Sequence, residues 1–296
     1  MAMIFNLGSI NTDHFYRLPH LPEAGETLAA TAYERGLGGK GANQSVALAR
    51  AGANVRHIGA VGADGLWMID RMVAAGVDCR HVQQSDAASG HAIINIDVRA
   101  ENTIILYPGA NRAISRDWVT QALLSARSGD VLVMQNETAH QVGAARFAQK
   151  QGLKVIYSAA PFEAGAVRDV LPFISVLILN AVEATQLCAA LGVTLAQVPV
   201  AQILVTHGAD GAVLYDLASG REISVPAFKV EAIDTSGAGD TFAGFFVAGL
   251  AEGMAPEAAM RFASAASAIK VTRAGTADAI PSRAEVEQFL SSQPSE

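Results

Sequence analysis

Cysteine is nearly absent from this chain. Cys79 and Cys188 are its only two in 296 residues, and they form no C-x-x-C pair. With no Cys/His zinc spacing around them, they read as buried, reduced thiols. Charge is sparse too, at 17% of residues, which argues against disorder in a chain that is 51% hydrophobic. Long apolar runs are missing. None approaches the roughly 20 residues needed to span a bilayer, and the longest candidate, Phe242 to Leu250, is far too short. The N-terminus has no basic region and its apolar run breaks at Asn6, so it does not read as a signal peptide. These features lead us to expect a soluble, cytoplasmic protein. The net charge of −7 disfavours nonspecific binding to nucleic acid or to anionic membranes. It also means that an anionic substrate must be met by local positive groups or by a metal ion. Several catalytic signatures are missing as well: H-E-x-x-H, G-x-S-x-G and a Walker A loop, since Lys40 is followed by neither Ser nor Thr.

What is present is an alternation of strand-like and helix-like segments. Ile4 to Leu7, Val55 to Val61, Val131 to Met134, Val155 to Tyr157, Val176 to Leu179 and Ile203 to Thr206 read as buried strands. Ala42 to Ala51, Leu66 to Ala75 and Ala139 to Gln151 read as helices, each closed by a glycine. The rhythm predicts an α/β fold: a mostly parallel central sheet flanked by helices on both faces. Ligands in such folds bind beyond the carboxyl ends of the strands, and Asn180, His207 and Asp234 are expected on that rim. Two segments break the rhythm, at about 13–37 and 90–107. The second reads as a hairpin turning at Arg99-Ala100-Glu101-Asn102. Together they predict a small antiparallel β lid inserted in a single domain over residues 1–296, able to exclude water from a site.

The most informative run is Asp234-Thr-Ser-Gly-Ala-Gly-Asp240-Thr-Phe242. Ala232-Ile233 reads as a strand leading into a tight turn and then a helix. Amides at such a turn suit a phosphate or a developing negative charge. An Asp inside an anion site needs another task, and a general base for a hydroxyl attacking phosphorus is the economical one. Helix capping is the plain alternative. Gly36-Leu-Gly-Gly-Lys-Gly-Ala-Asn43 imitates a dinucleotide fingerprint, but its lead-in is too polar for a buried first strand. Its better use is close backbone approach to a polyhydroxy ligand, with Asn43 offering a donor and an acceptor. Asn11 and Asp13, two apart on an extended chain, suit vicinal hydroxyls. Glu137 lies on the same rim. Asn180 and Glu183 read either as a capping box or as holders of the waters of a magnesium ion.

Gly38-Gly-Lys-Gly-Ala-Asn43 and the Asp234–Phe242 run resemble the paired signatures of the ribokinase-like (PfkB-type) carbohydrate kinases. Gly8 to Asp13, Pro108 to Asn111, Met134 to Glu137, Asn180 to Glu183 and Val271 to Gly275 extend the resemblance over nearly the whole chain. The resemblance implies that Asn11, Asp13, Gly38, Gly39, Lys40, Asn43 and Glu137 bind sugar hydroxyls. Asp240 would be the catalytic base, and the amides of Gly237, Ala238 and Gly239 the anion hole. Asn180 and Glu183 would serve magnesium and phosphates, Glu183 through water. Thr206, Gly208, Gly211 and Gly239 would contact ATP, with Ser264 near the adenine where the family often has His. Asp234, Ser236, Val271, Ala274 and Gly275 would hold a potassium ion, and the lid would form a homodimer contact. Ser158-Ala-Ala-Pro161 departs from the usual Asn-Pro-Ala-Pro, and Thr12, Trp67 and Ala279 also differ. The implied activity is ATP-dependent sugar phosphorylation, with ribose the first candidate. A nucleoside, fructose, a keto-deoxy acid, or a catalytically silent sugar-binding role are the alternatives.

Overall fold

The computed structural model describes residues 2–99 and 101–293. Thirteen strands run in chain order: β1 (Met3–Leu7), β2 (Asn11–Arg17), β3 (Ala32–Gly38), β4 (Asn54–Val61), β5 (Asp78–Gln84), β6 (Gly90–Ile96), β7 (Asn102–Tyr107), β8 (Val131–Gln135), β9 (Lys154–Ser158), β10 (Val176–Asn180), β11 (Gln202–Thr206), β12 (Ala212–Asp216) and β13 (Arg221–Val225). The helices are α1 (Lys40–Arg50), α2 (Leu66–Ala74), α3 (Ala110–Ala113), α4 (Arg116–Leu123), α5 (Gln141–Lys150), α6 (Ala164–Val170), α7 (Ala181–Leu191), α8 (Ala238–Glu252), α9 (Pro256–Val271) and α10 (Arg283–Ser292).

Nine strands form the main sheet in the order β13-β12-β11-β10-β9-β8-β1-β4-β5. Every neighbouring pair from β11 to β5 is parallel, and β12 alone runs against the rest. The strand sequences explain this. In β8, Val131 and Val133 face one core, while Leu132 and Met134 face the other. A strand apolar on both faces needs cover on both. Helices α1, α2, α8, α9 and α10 supply it on one side and α3 to α7 on the other.

Three strands were not legible as apolar runs. β5 is largely polar and lies at one edge; β12 and β13 form a hairpin at the opposite edge. A different expectation fails at Ala232-Ile233, which form no strand. Ile233 is 71% exposed. Its amide and that of Asp234 both bond to the Val271 carbonyl at the end of α9 (2.7 and 3.1 Å). Two apolar residues between Glu231 and Asp234 are too few for a ladder, and the carbonyl of a helix terminus takes the Ile233 and Asp234 amides instead.

The lid is a separate four-stranded sheet, β3-β2-β6-β7. Pairs β2–β3 and β6–β7 are antiparallel, and the two hairpins join through the parallel pair β2–β6. Ala100, in the expected hairpin turn, lies outside the described residues.

Candidate active site

The site assembles where β1, β8, α1 and α8 meet beneath the lid. α1 begins at Lys40 directly after β3, so the glycine-rich run turns from lid strand to helix. Gly38 permits this. A Cβ there would lie 2.0 Å from Asp13 Oδ2, so only a hydrogen lets the Asp13 carboxylate pack against that backbone. On β2, Asn11 and Asp13 share one face as expected. Asn11 Oδ1 accepts from Asn111 Nδ2 (2.7 Å), while Asn111 Oδ1 accepts the Ile10 amide (2.9 Å). Glu137, just past β8, accepts from the Ser9 hydroxyl and from the Lys40 amide (3.3 Å).

Asp240 lies on the first turn of α8, 9% exposed. Its Oδ2 accepts from Asn43 Nδ2 and its Oδ1 from Gln44 Nε2, both at 3.0 Å. Neighbouring residues of α1 therefore grip both oxygens. Asn43 Oδ1 is buried with no partner among the described residues, an acceptor free for a ligand hydroxyl. The turn ahead of Asp240 is set by Gly237, left-handed at φ 71°, which a side chain would strain. It brings Gly237, Ala238 and Gly239 to the head of α8, where amides have no intrahelical partner, although the Ala238 amide donates to the Thr235 carbonyl just ahead of the helix (3.2 Å).

The electrostatics are concentrated. Burial, reinforced by Glu137 and Asp240, pushes the Asp13 carboxyl up to about 7, with Lys40 opposing. Burial also raises Glu137, against Lys40 and the Ser9 bond. The Lys40 ammonium is held above its ordinary value, first by Asp240, then by Glu137, Glu183 and Asp13, against desolvation. A cavity of about 180 Å³ opens among Asn11, Leu106, Asn111, Arg112, Asn136 and Glu137. A larger one, about 420 Å³, lies between α4 and α5 and shares no residue with this cluster, so volume is a poor guide here and chemistry a better one.

A buried polar network runs beneath Asp240. Gln135 Nε2 donates to Gln44 Oε1 (2.7 Å) and to Asn6 Oδ1 (2.8 Å). Asn6 Nδ2 donates to Ser45 Oγ, which meets His57 Nδ1 (2.8 Å each). His57 Nε2 faces the Gly8 carbonyl at 3.1 Å, so that nitrogen carries the proton and Ser45 donates to Nδ1. Burial pulls His57 down to about 4, and the ring is neutral near pH 7. Ser9, Gln44, Asn111 and this network were not singled out from the sequence. Gln44 stood beside Asn43 one helical position on, and Asn111 closed a stretch already tied to the family resemblance.

The nucleotide-side candidates sit along the same rim. Asn180 caps α7 and forms a capping box with Glu183: Glu183 N to Asn180 Oδ1 and Asn180 N to Glu183 Oε2, both 2.8 Å. The capping reading is thus realised, and it leaves Glu183 Oε1 without a hydrogen bond among the described residues. Thr206 ends β11, and Gly208 opens the short turn after it. Gly211 packs so tightly that a Cβ would meet the Val225 carbonyl at 2.2 Å. Ser264, on α9, donates to the Pro226 carbonyl (3.3 Å), which places it beside that same segment. Ser158 is buried at the end of β9, where the family often has Asn.

Two of the expected potassium ligands, Asp234 and Val271, already accept hydrogen bonds from backbone amides. Asp234 Oδ1 accepts the Ser236 amide (2.8 Å) and Oδ2 the Gly275 amide (2.9 Å), with Val271 O already taken by two amides. Burial acts against ionisation, but these amide bonds outweigh it and hold Asp234 below the usual carboxylate value. Lys270 Nζ donates to the Asp234 carbonyl at 2.8 Å. Ala274 makes no hydrogen bond to this cluster among the described residues. No group of three or more His, Cys, Asp or Glu able to hold a metal ion occurs among the described residues. None of the helices among them is long and apolar enough to cross a membrane.

Residues 1–283 match the pfkB family carbohydrate kinase profile. The chain is 37% identical to the ribokinase of Haemophilus influenzae over 302 residues, covering 96% of this chain and 97% of that protein. A crystal structure of ribokinase from Thermotoga maritima superposes with a TM-score of 0.88 at 30% identity, covering 98% of this chain and 100% of that one. Arabidopsis thaliana ribokinase, complexed with ribose and ATP, gives 0.86 at 26% identity, covering 98% and 99%. With the profile matching residues 1–283 and a ribokinase 37% identical over nearly the whole length, this chain belongs to the pfkB family of carbohydrate kinases.

Proposed function

We propose that this protein transfers the γ-phosphoryl group of MgATP to a primary hydroxyl of ribose. The observation that carries the reading is the grip on Asp240. α1 supplies both the candidate sugar-binding residues Lys40 and Asn43 and the two amides that aim the carboxylate, so sugar position and base position are set by one rigid element.

Asn11, Asp13, Lys40, Asn43 and Glu137 would fix the sugar hydroxyls. Asp240 accepts the proton of the attacking hydroxyl as its oxygen bonds to the γ-phosphorus and ADP departs. The amides of Gly237 to Gly239 face the charge that builds on the phosphoryl oxygens. Magnesium would arrive with the nucleotide, held mainly by its phosphates, and neutralise phosphate charge; Glu183 Oε1 is the carboxylate oxygen available to its waters. Thr206, Gly208, Gly211 and Ser264 line the side on which the nucleotide would lie. The lid, whose Leu106 lines the cavity, would cover the sugar and keep water from competing as acceptor. Its outer side suits a homodimer contact: Tyr33, Ile105 and Tyr107 are exposed at 51%, 61% and 49%. A cytoplasmic location belongs to the same reading.

The test is ADP release from purified protein with MgATP across ribose, deoxyribose, fructose, keto-deoxy sugar acids and common nucleosides. Selective turnover of ribose is expected. Turnover of another compound alone would move the sugar assignment. Tight sugar binding without ADP release would favour a silent binding protein.

A further inference from the structure

Lys270 stands on the last turn of α9 with its side chain fully buried (0% exposed). A buried ammonium is costly unless negative groups meet it. Here Nζ donates to the Asp234 carbonyl at 2.8 Å and lies 4.0 Å from Asp234 Oδ1. Burial draws Lys270 below an ordinary lysine, and Asp234 pulls the other way.

This charge sits behind the anion hole. α9 holds the turn at two points one helical turn apart: Ser267 Oγ donates to the Ala238 carbonyl (3.0 Å), and Lys270 to the Asp234 carbonyl. Between those two carbonyls the chain makes the Thr235–Gly237 turn that presents the head of α8. A monovalent cation bound to the Asp234 carbonyl would stabilise the same turn by drawing in the same oxygen. It could not do so beside Lys270. Two positive charges held on one carbonyl oxygen away from water repel each other strongly. The residues present do not fit a potassium ion at that carbonyl.

We propose that the Lys270 ammonium takes the place of the monovalent cation, a built-in positive charge that fixes the Asp234 carbonyl and the anion-hole turn, so that the enzyme works without potassium. The activity arm of the test rests on the kinase reading; the thermal arm does not.

Wild-type protein is compared in potassium chloride and choline chloride at equal ionic strength. Turnover is expected to agree within about twofold, and the melting temperature to be the same. Lys270→Ala removes the charge and leaves room for a free ion. Its turnover in choline should fall by at least about tenfold, as for loss of a preorganised charge near the developing anion. Potassium or ammonium chloride should restore part of that loss and raise the melting temperature of this variant alone. Lys270→Met keeps the methylene stem without leaving room, so it should lose activity with no rescue, and it serves if the alanine variant does not fold. Strong activation of the wild type by potassium would overturn the proposal, and so would wild-type turnover of Lys270→Ala in choline. If no sugar is turned over, the kinase reading fails separately. The potassium-dependent thermal shifts of wild type and variant would still decide the cation site: a shift in the wild type overturns the proposal, and one confined to the variant supports it.

Discussion

Asp13 should make the free protein less stable as pH rises, and removing its charge should reverse that. Burial beside Glu137 and Asp240 raises its carboxyl from 3.8 in the open chain to about 7 in the folded one. Folded protein therefore holds a proton that the unfolded chain has already lost between those values. Its contribution to stability is complete below about pH 4 and is lost as pH rises through about 7. Within that window the slope from this one group is about 1.4 kcal/mol per pH unit, giving a total of up to about 4 kcal/mol. Asp13→Asn has nothing to ionise. Without ligand, its melting temperature relative to wild type should climb steadily from pH 5 to pH 8, by several degrees at about 2–4 °C per kcal/mol. Sugar binding should show the opposite sign. Hydroxyl donors favour the ionised carboxylate, so wild-type affinity should tighten as pH rises through 7. Asp13→Asn should bind weakly and without that dependence. Thermal melts and calorimetric titration across the range measure both. A melting-temperature difference that stays flat or shrinks toward pH 8 would refute the assignment of Asp13 as a destabilised site carboxylate.

Three other outcomes can be checked. Asp240→Asn should lower kcat by about 10²- to 10⁴-fold with KM for ATP little changed, and retention of a tenth of wild-type kcat would count against the base assignment. Because Asn43 and Gln44 both point NH₂ groups at this carboxylate, the amide cannot accept from both, so the variant should also melt lower, by about 1–3 kcal/mol of lost pairing. Gln44→Leu, which leaves Asp240 Oδ1 and Gln135 Nε2 without their shared partner, should cut kcat by about tenfold while ATP affinity holds; an unchanged kcat would show that Asn43 aims the base alone. Ile105→Glu, on the exposed lid strand, should convert a dimer to monomers in sedimentation, and a wild-type protein already monomeric at assay concentration would remove the lid contact from the proposal.

The parts of this molecule that were readable from sequence are those where a local rule and the tertiary structure agree. β8 and β10 are short apolar runs because both faces are covered, and the run alone conveys that. Gly38 marks backbone that has no room for a side chain and Gly237 a left-handed turn that a side chain would strain, so the two turns of the site were visible before their meeting was. The illegible parts are those whose meaning lies in a partner distant along the chain. Gln44 is one more polar residue on a helix until Gln135 and Asp240 are found against it, 91 and 196 positions away. β5 is polar and edge-bound, so no periodicity announces it. Lys270 was not singled out from the sequence, yet the fold buries it against Asp234, which the family resemblance assigns to a potassium ion. A motif reports which backbone shapes a site needs. It does not report which charge fills the space behind them, because that charge comes from a neighbouring element whose sequence obeys its own helical rules. Here α9 satisfies its own packing with Phe262 and Ala266 in the core and still delivers an ammonium to the Asp234 carbonyl ahead of α8. If Lys270 acts as proposed, cation dependence in this protein would be read from α9 rather than from the glycine-rich turn it supports.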